Sequence, residues 1–421
     1  MKKTLFCLGL ACYLALLTPA LTQDISQPAS SSGGGGLTVL SPLVSVPTSI
    51  SINPTLSSSL GKSIDVTTGS SADVTLTLIS AVTAGSGALQ WVQKVDSGTK
   101  KVVVTDGVTA QAWLSTQYDS VVLRSNGTSW TPYVYSLAPR VDLYATNGSF
   151  TWTKPPLARL LTITVVGAGA GGGSGARVAV GVTASGGSAG AAGSGQFVYN
   201  RPASQQGATE PVVVGVGGAG GAAQTSDTTA GNVGVAGTVS TFSSGANLLS
   251  PLNSTGAGNG GGGAGQVAGN SAIGAGGVGR FGGVSAPASV TGAAGVNANQ
   301  LVGTELVLGG GSGSGQFAVP ASNNGGLPGL AAAWGTTAGT AGIGSTKTNP
   351  TAGVGMLTDF GLQLGIGGGG GWANADGTAG AGGVGTGCGA PGGGGGGSNN
   401  GNASGAGGNG ADGCVLVITS F

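Results

Sequence analysis

Val74, Leu76 and Leu78 alternate with Thr75 and Thr77, and this period of two predicts a strand with one buried face. The same Val- and Thr-rich character runs from about Leu40 to Leu137. Within it, "LQWVQKVDSGTKKVVVTDG" (89–107) sets a Ser-Gly turn between two apolar runs. "SVVLRSNGTSWTPYVYS" (120–136) sets Asn126-Gly127 between two more, a pair suited to a hairpin turn that needs positive φ at its centre. A second Asn-Gly hairpin is expected at Asn147-Gly148, inside "APRVDLYATNGSFTWTKPP" (138–156). Beyond the N-terminal segment no stretch sustains a helical period, so this part reads as a small all-β module.

The pattern changes after Leu160. "LLTITVVGAGAGGGSG" (160–175) is a strand that runs straight into glycine, and apolar segments then recur between glycine tracts: "GQFVYN" (195–200), "EPVVVGVGGAGG" (210–221), "GTVSTF" (237–242) and "CVLVITS" (414–420). Of the 92 glycines, 79 lie in residues 161–421, so glycine decides the architecture of this half. Collagen requires an unbroken G-X-Y period, which fails within a few triplets. Disorder suits the glycine content, yet disordered chains are usually charged, and only ten charged side chains occur here. Stacked polyglycine-II-like helices, with three residues per turn and only lateral hydrogen bonds, fit a glycine region framed by strands at both ends. The expected fold class is therefore all-β: a small N-terminal β-module followed by β-strands framing polyglycine-II-like helices. The expected divisions are 1–23 (signal-like segment), 24–40 (Ser/Gly linker), 41–138 (β-module), 139–155 (hairpin joint) and 156–421 (glycine-rich domain).

Residues 1–23 resemble a secretory signal, with Lys2 and Lys3 ahead of a 13-residue apolar run from Leu5 to Leu17. That run is shorter than the ~20 residues needed to span a bilayer, and a buried N-terminal element is the other reading. Removing the segment would leave Cys388 and Cys414, either as a disulfide in an oxidising compartment or as two small buried thiols.

Charge narrows the chemistry. Only 6% of residues are charged, the net charge is +1 and histidine is absent. A neutral chain has no field to gather nucleic acid, and without histidine it lacks the commonest general base and transition-metal ligand. No enzyme, cofactor or metal is expected. Gly167, Gly169 and Gly172 match G-x-G-x-x-G, but no helix and no suitably spaced acid follow, so dinucleotide binding is set aside. "GGNGADGCV" (407–415) matches one nonapeptide of a calcium-binding β-roll without a second copy, and Asp412 is assigned instead to the turn before the last strand. Asn126, Asn147, Asn253 and Asn402 begin N-x-S/T and are read as turn residues rather than glycan acceptors. The six acids beyond residue 161 are scattered, which gives no support to a glycosidase pair.

Recognition through exposed loops remains. Aromatic and arginine side chains dominate interface energetics, which selects Arg280 and Phe281 ("VGRFGG"), Trp334 ("AAAWGTTAG"), and Trp372, Asn374 and Asp376 ("GGGWANADG") as receptor-binding candidates. The competing role for each tryptophan is to plug a gap in a domain short of large side chains.

"SFTWTKPPLARLLTITVVGAGAGGGSG", "VVVGVGGAGG", "GTVSTF" and "GGNGADGCVLVITSF" resemble, in order, the glycine-rich domain of bacteriophage tail-fibre and tail-tip proteins, over roughly residues 149–421. "WVQKVDSGTKKVVVTDG" and "WLSTQYDSVVLRSNGTSWTPYVY" are similar to a β-module common in such fibres. The resemblance implies a non-enzymatic adhesin, virion-borne or secreted, that binds a bacterial surface receptor (an outer-membrane protein or polysaccharide). It also implies other tail proteins as partners, and many such fibres are homotrimers. The alternative is a secreted structural glycine-rich surface or matrix protein with no specific ligand.

Overall fold

The computed structural model describes residues 48–49, 55–56, 63–68, 73–227, 230–250, 322–327, 340–351, 365–374 and 376–421. The signal-like segment, the Ser/Gly linker, and Arg280, Phe281 and Trp334 lie outside the described residues.

The N-terminal module contains β1 (Thr48–Ser49), β2 (Thr55–Leu56), β3 (Ser63–Thr67), β4 (Val74–Leu78), β5 (Ser86–Lys94), β6 (Val102–Thr105), β7 (Ala110–Leu114), β8 (Ser120–Asn126) and β9 (Trp130–Ser136). Up to β6, successive strands alternate between two sheets, ordered β1-β3-β5-β8-β9 and β2-β4-β6-β7. Ser63 pairs with Trp91 and Val74 with Val102, both in parallel and both offset by 28 residues. The chain thus coils from sheet to sheet before closing with antiparallel strands. The alternating residues meet inside, where Val66, Leu76, Val92, Val104, Leu114 and Leu123 are buried beside Trp130.

The expected turn at Ser97-Gly98 does lie between two strands, and it is a sheet-to-sheet crossover, since β5 and β6 belong to different sheets. Its geometry is fixed by Lys94, which is fully buried and donates to the Asp96 and Gly98 carbonyls at 2.6 and 2.9 Å. Asp96 in turn accepts from the Thr68 N–H at 3.0 Å and pairs with Lys94 at 3.0 Å. The Asn126-Gly127 turn does join β8 to β9, but only Gly127 has positive φ (+91°). Asn126 contributes its side chain, which accepts from the N–H groups of Thr128 and Ser129 at 2.9 and 2.7 Å.

The remaining strands are β10 (Arg140–Tyr144), β11 (Gly148–Thr153), β12 (Leu160–Val166), β13 (Gly195–Pro202), β14 (Thr209–Val214), β15 (Thr241–Phe242) and β16 (Cys414–Ser420). They form the sheets β10-β16-β12-β13 and β11-β14-β15, with Trp152, Leu161, Ile163, Val212, Phe242, Val415 and Val417 buried in one core. Trp152 meets Phe242 edge-on, centroids 5.6 Å apart. Asn147-Gly148 forms no hairpin here, because β10 pairs with β16 and β11 with β14. The 139–155 stretch expected as a joint therefore supplies strands to both sheets of the glycine-rich half.

Between these strands the glycine tracts pack side by side. Along tract 167–176, N–H groups 167, 170, 173 and 176 donate to the carbonyls of 194, 191, 188 and 185. Those of 168, 171 and 174 donate to 238, 235 and 232, and those of 169, 172 and 175 to 411, 408 and 405. One chain thus serves three antiparallel neighbours in rotation, the lateral pattern of a helix with three residues per turn and no internal hydrogen bonds. Its carbonyls accept from two parallel neighbours: Gly218 and Gly221 on one, and Gly392, Gly395 and Ser398 on the other. The spacing leaves no room for side chains at every third position. A Cβ on Gly169, Gly172 or Gly175 would collide with the carbonyl oxygens of Ala390, Gly393 and Gly396 respectively. Ala170, by contrast, points at Ala191, and both are buried.

Candidate functional site

Tracts 167–176, 217–224, 365–373 and 389–398 run parallel to one another, away from the sheets, and 185–194, 231–238, 379–386 and 403–413 return. The turns that reverse them gather at the end remote from β12 and β16. Inside the lattice the residues are mostly Gly, Ala and Ser; larger polar side chains lie in these turns and along the lattice edge that carries Gln224, Asn232, Asn409 and Asp412.

Direct hydrogen bonds join one turn to the next. Arg177 and Ser398 form an isolated parallel bridge, and Asn399 Nδ2 donates to the Val182 carbonyl at 2.7 Å. Asn400 Nδ2 donates to the carbonyls of Asn374 and Gly377, each at 2.9 Å. The Asn400 side-chain oxygen accepts from Ser398 Oγ at 2.9 Å and from the Asn402 N–H at 3.0 Å, which closes the 398–402 turn. Two ion pairs extend the cluster: Arg177 Nε to Asp227 at 2.7 Å and Lys347 Nζ to Asp376 at 3.3 Å. Arg177 Nη1 also donates to the Thr225 carbonyl. Two cations meet two carboxylates, so the end face is locally neutral, polar and rich in amides. Val180, 69% exposed, projects from it beside the partly exposed Val182.

The candidates taken from "GGGWANADG" divide. Asp376 is on the end face with its side chain 78% exposed. Trp372 and Asn374 are buried, at 6% and 2% exposure, which corrects the expectation of an exposed recognition loop at those two positions. The indole of Trp372 fills the space left by Gly342 and Gly380, where added Cβ atoms would strike its ring. Its carbonyl accepts from the Gly380 N–H at 2.8 Å, so this tryptophan plugs the lattice. Arg177, Lys347, Asn399 and Asn400 were not selected from sequence. The signal that marks them is the polar interruption of glycine-rich runs, as in "SNNGN" at 398–402.

Two earlier motif readings are decided by geometry. Gly167, Gly169 and Gly172 lie within the lattice, their N–H groups bonded to Ser194, Ala411 and Gly408, so they form no phosphate cradle. Asp412 Oδ1 accepts from the Gly217 N–H at 2.8 Å and Oδ2 from Asn147 Nδ2 at 2.7 Å. Asn409 Oδ1 and Ser404 Oγ likewise accept from the N–H groups of Gly220 and Gln224, at 2.8 and 2.9 Å. Side-chain oxygens thus replace carbonyls along this edge of the lattice. Among the described residues no group of three or more His, Cys, Asp or Glu side chains is placed to hold a metal ion.

At the opposite end, Cys388 and Cys414 form a disulfide with Cα atoms 5.6 Å apart. It ties the start of tract 389–398 to the start of β16.

A strand-framed glycine lattice of this kind defines a class of glycine-rich β-proteins. The chain belongs to the glycine-rich domain family, whose model matches residues 145–419. A search of curated proteins returns no match.

Proposed function

We propose that the protein is a non-enzymatic adhesin, similar to a phage tail fibre, that binds a bacterial surface receptor through the turns at the far end of its glycine lattice. The supporting observation is the segregation of side chains. The tracts present mainly backbone already consumed in lateral hydrogen bonds, while Arg177, Val180, Lys347, Asp376 and Asn400 converge on one end. A rigid scaffold carrying cross-linked polar turns is a common arrangement for recognition. The absence of histidine from the whole sequence favours binding over catalysis. On this reading the protein works on a virion or outside the cell, with a surface protein or polysaccharide as its partner.

The test is binding of labelled protein to a panel of bacterial strains. Saturable binding to a subset is expected, and Asp376→Ala combined with Lys347→Ala should weaken it by at least ~1 kcal/mol, more than most interface residues contribute. Uniform, unsaturable binding that ignores these substitutions would instead indicate a structural surface protein with no specific ligand.

A further inference from the structure

A cleft of about 450 Å³ opens far from the turn cluster, where the N-terminal module meets β10. One wall comes from the ends of adjacent strands: Asp73 precedes β4, Lys101 precedes β6, and Ser115 and Thr116 follow β7. Arg140 and Asp142 of β10 form the other wall. Beside the cleft, two cations lie against the ring of Trp113, with Lys101 Nζ 4.0 Å and Arg140 Cζ 5.1 Å from its centroid.

Each cation is matched by a carboxylate. Lys101 lies 3.6 Å from Asp73, and Arg140 donates Nε and Nη2 to Asp142 Oδ1 at 3.0 and 2.8 Å. The second Asp142 oxygen accepts from the indole N–H of Trp152 at 3.1 Å, which anchors this charge pair to the buried core. Two donors remain without an acceptor, Arg140 Nη1 and Trp113 Nε1, both enclosed. The N–H groups of Ser115 and Thr116 are taken by Asp119, each at 2.8 Å, so the backbone that presents their hydroxyls is fixed.

We infer that this cleft binds a neutral saccharide unit. Its volume lies within the ~300–1,000 Å³ typical of small-molecule sites. An anion would face Asp73 and Asp142, and a cation would face Lys101 and Arg140, so the balanced lining disfavours either charge. A sugar hydroxyl both donates and accepts, and so matches a wall that alternates carboxylates, cationic donors and hydroxyls. The site shares no residue with the turn cluster and stands whether or not that cluster binds a receptor.

Saturation-transfer NMR on the full chain, with methyl glycosides and maltotriose at up to about 10 mM, tests the inference; sodium glucuronate and inorganic phosphate are the anionic arms. At least one neutral glycoside should bind with millimolar affinity. Ser115→Ala combined with Thr116→Val should weaken it about tenfold, and Asp376→Ala should leave it unchanged. Arg140→Lys, which keeps the charge but loses the planar fork, should weaken it too. If Arg140→Lys melts early, the Ser115/Thr116 pair carries the test alone. Binding of the anions only, no binding of any neutral glycoside, or binding indifferent to the Ser115/Thr116 pair would overturn the assignment.

Discussion

Gly169 and Ala170 are neighbours with opposite tolerances. A methyl group on Gly169 would strike the Ala390 carbonyl oxygen, whereas the methyl of Ala170 already packs on Ala191. Gly169→Ala should therefore destabilise the protein by at least ~3 kcal/mol, the upper range for overpacking, and Ala170→Gly by only about 1 kcal/mol. Chemical denaturation of the two variants measures both, and equal effects would contradict the close-packed lattice. Asp96 offers a second test at this scale. Burial would raise its pKa, but hydrogen bonds from the Thr68 N–H, Lys94 and the Thr68 hydroxyl, with the Lys94 charge, bring it from the ordinary 3.8 down to about 2. A depressed carboxylate pKa stabilises the fold fully above its unfolded value, and that contribution is lost as pH falls through the folded one. The melting temperature should fall as pH drops from about 4 to about 2, and Asp96→Asn should flatten part of that fall. The sequence did not disclose either feature. Gly169 looks like any other glycine until Ala390, far along the chain, is laid against it. Trp372 likewise looks like a recognition residue until Gly342 and Gly380 close around it.

At the scale of elements, strand character was legible and strand partners often were not. The alternation at 74–78 gave β4 correctly, because a half-buried strand imposes its period locally. Ser97-Gly98 and Asn147-Gly148 do mark turns, but a hairpin and a crossover between sheets share the same strand-turn-strand pattern. Only Asn126-Gly127 joins strands of one sheet. The glycine tracts were readable as a type of helix from composition and framing, yet their neighbours depend on hydrogen bonds spanning up to some 240 residues, as between Gly169 and Ala411. The Cys388–Cys414 pairing belongs to this scale, because it closes the loop that carries tracts 389–398 and 403–413 across a separation of 26 residues. On the loop-entropy model a bridge of that span contributes about 3.5 kcal/mol. Cys388→Ala should cost about that much in equilibrium denaturation, and reducing agent should lower the stability of the parent protein but not of the variant. Unchanged stability in Cys388→Ala would mean that the lattice holds these tracts unaided.

The two ends of the glycine-rich half behave differently across the whole molecule. At one end β10, β12 and the last strand, β16, lie side by side, so the first and final segments of this half meet in one sheet. At the other end, among the described residues, turns meet. Because tract 167–176 bonds to five neighbours at once, each in steps of three residues, its length is quantised. One residue inserted in mid-tract would rotate everything beyond it by a third of a turn, turning alanine methyls toward carbonyls that only glycine can approach. Three inserted residues would restore the phase and lift the end of that tract by about 9 Å. The turns have no such arithmetic. A gene coding for this scaffold can vary its tips one codon at a time, while its shafts change height only in whole storeys.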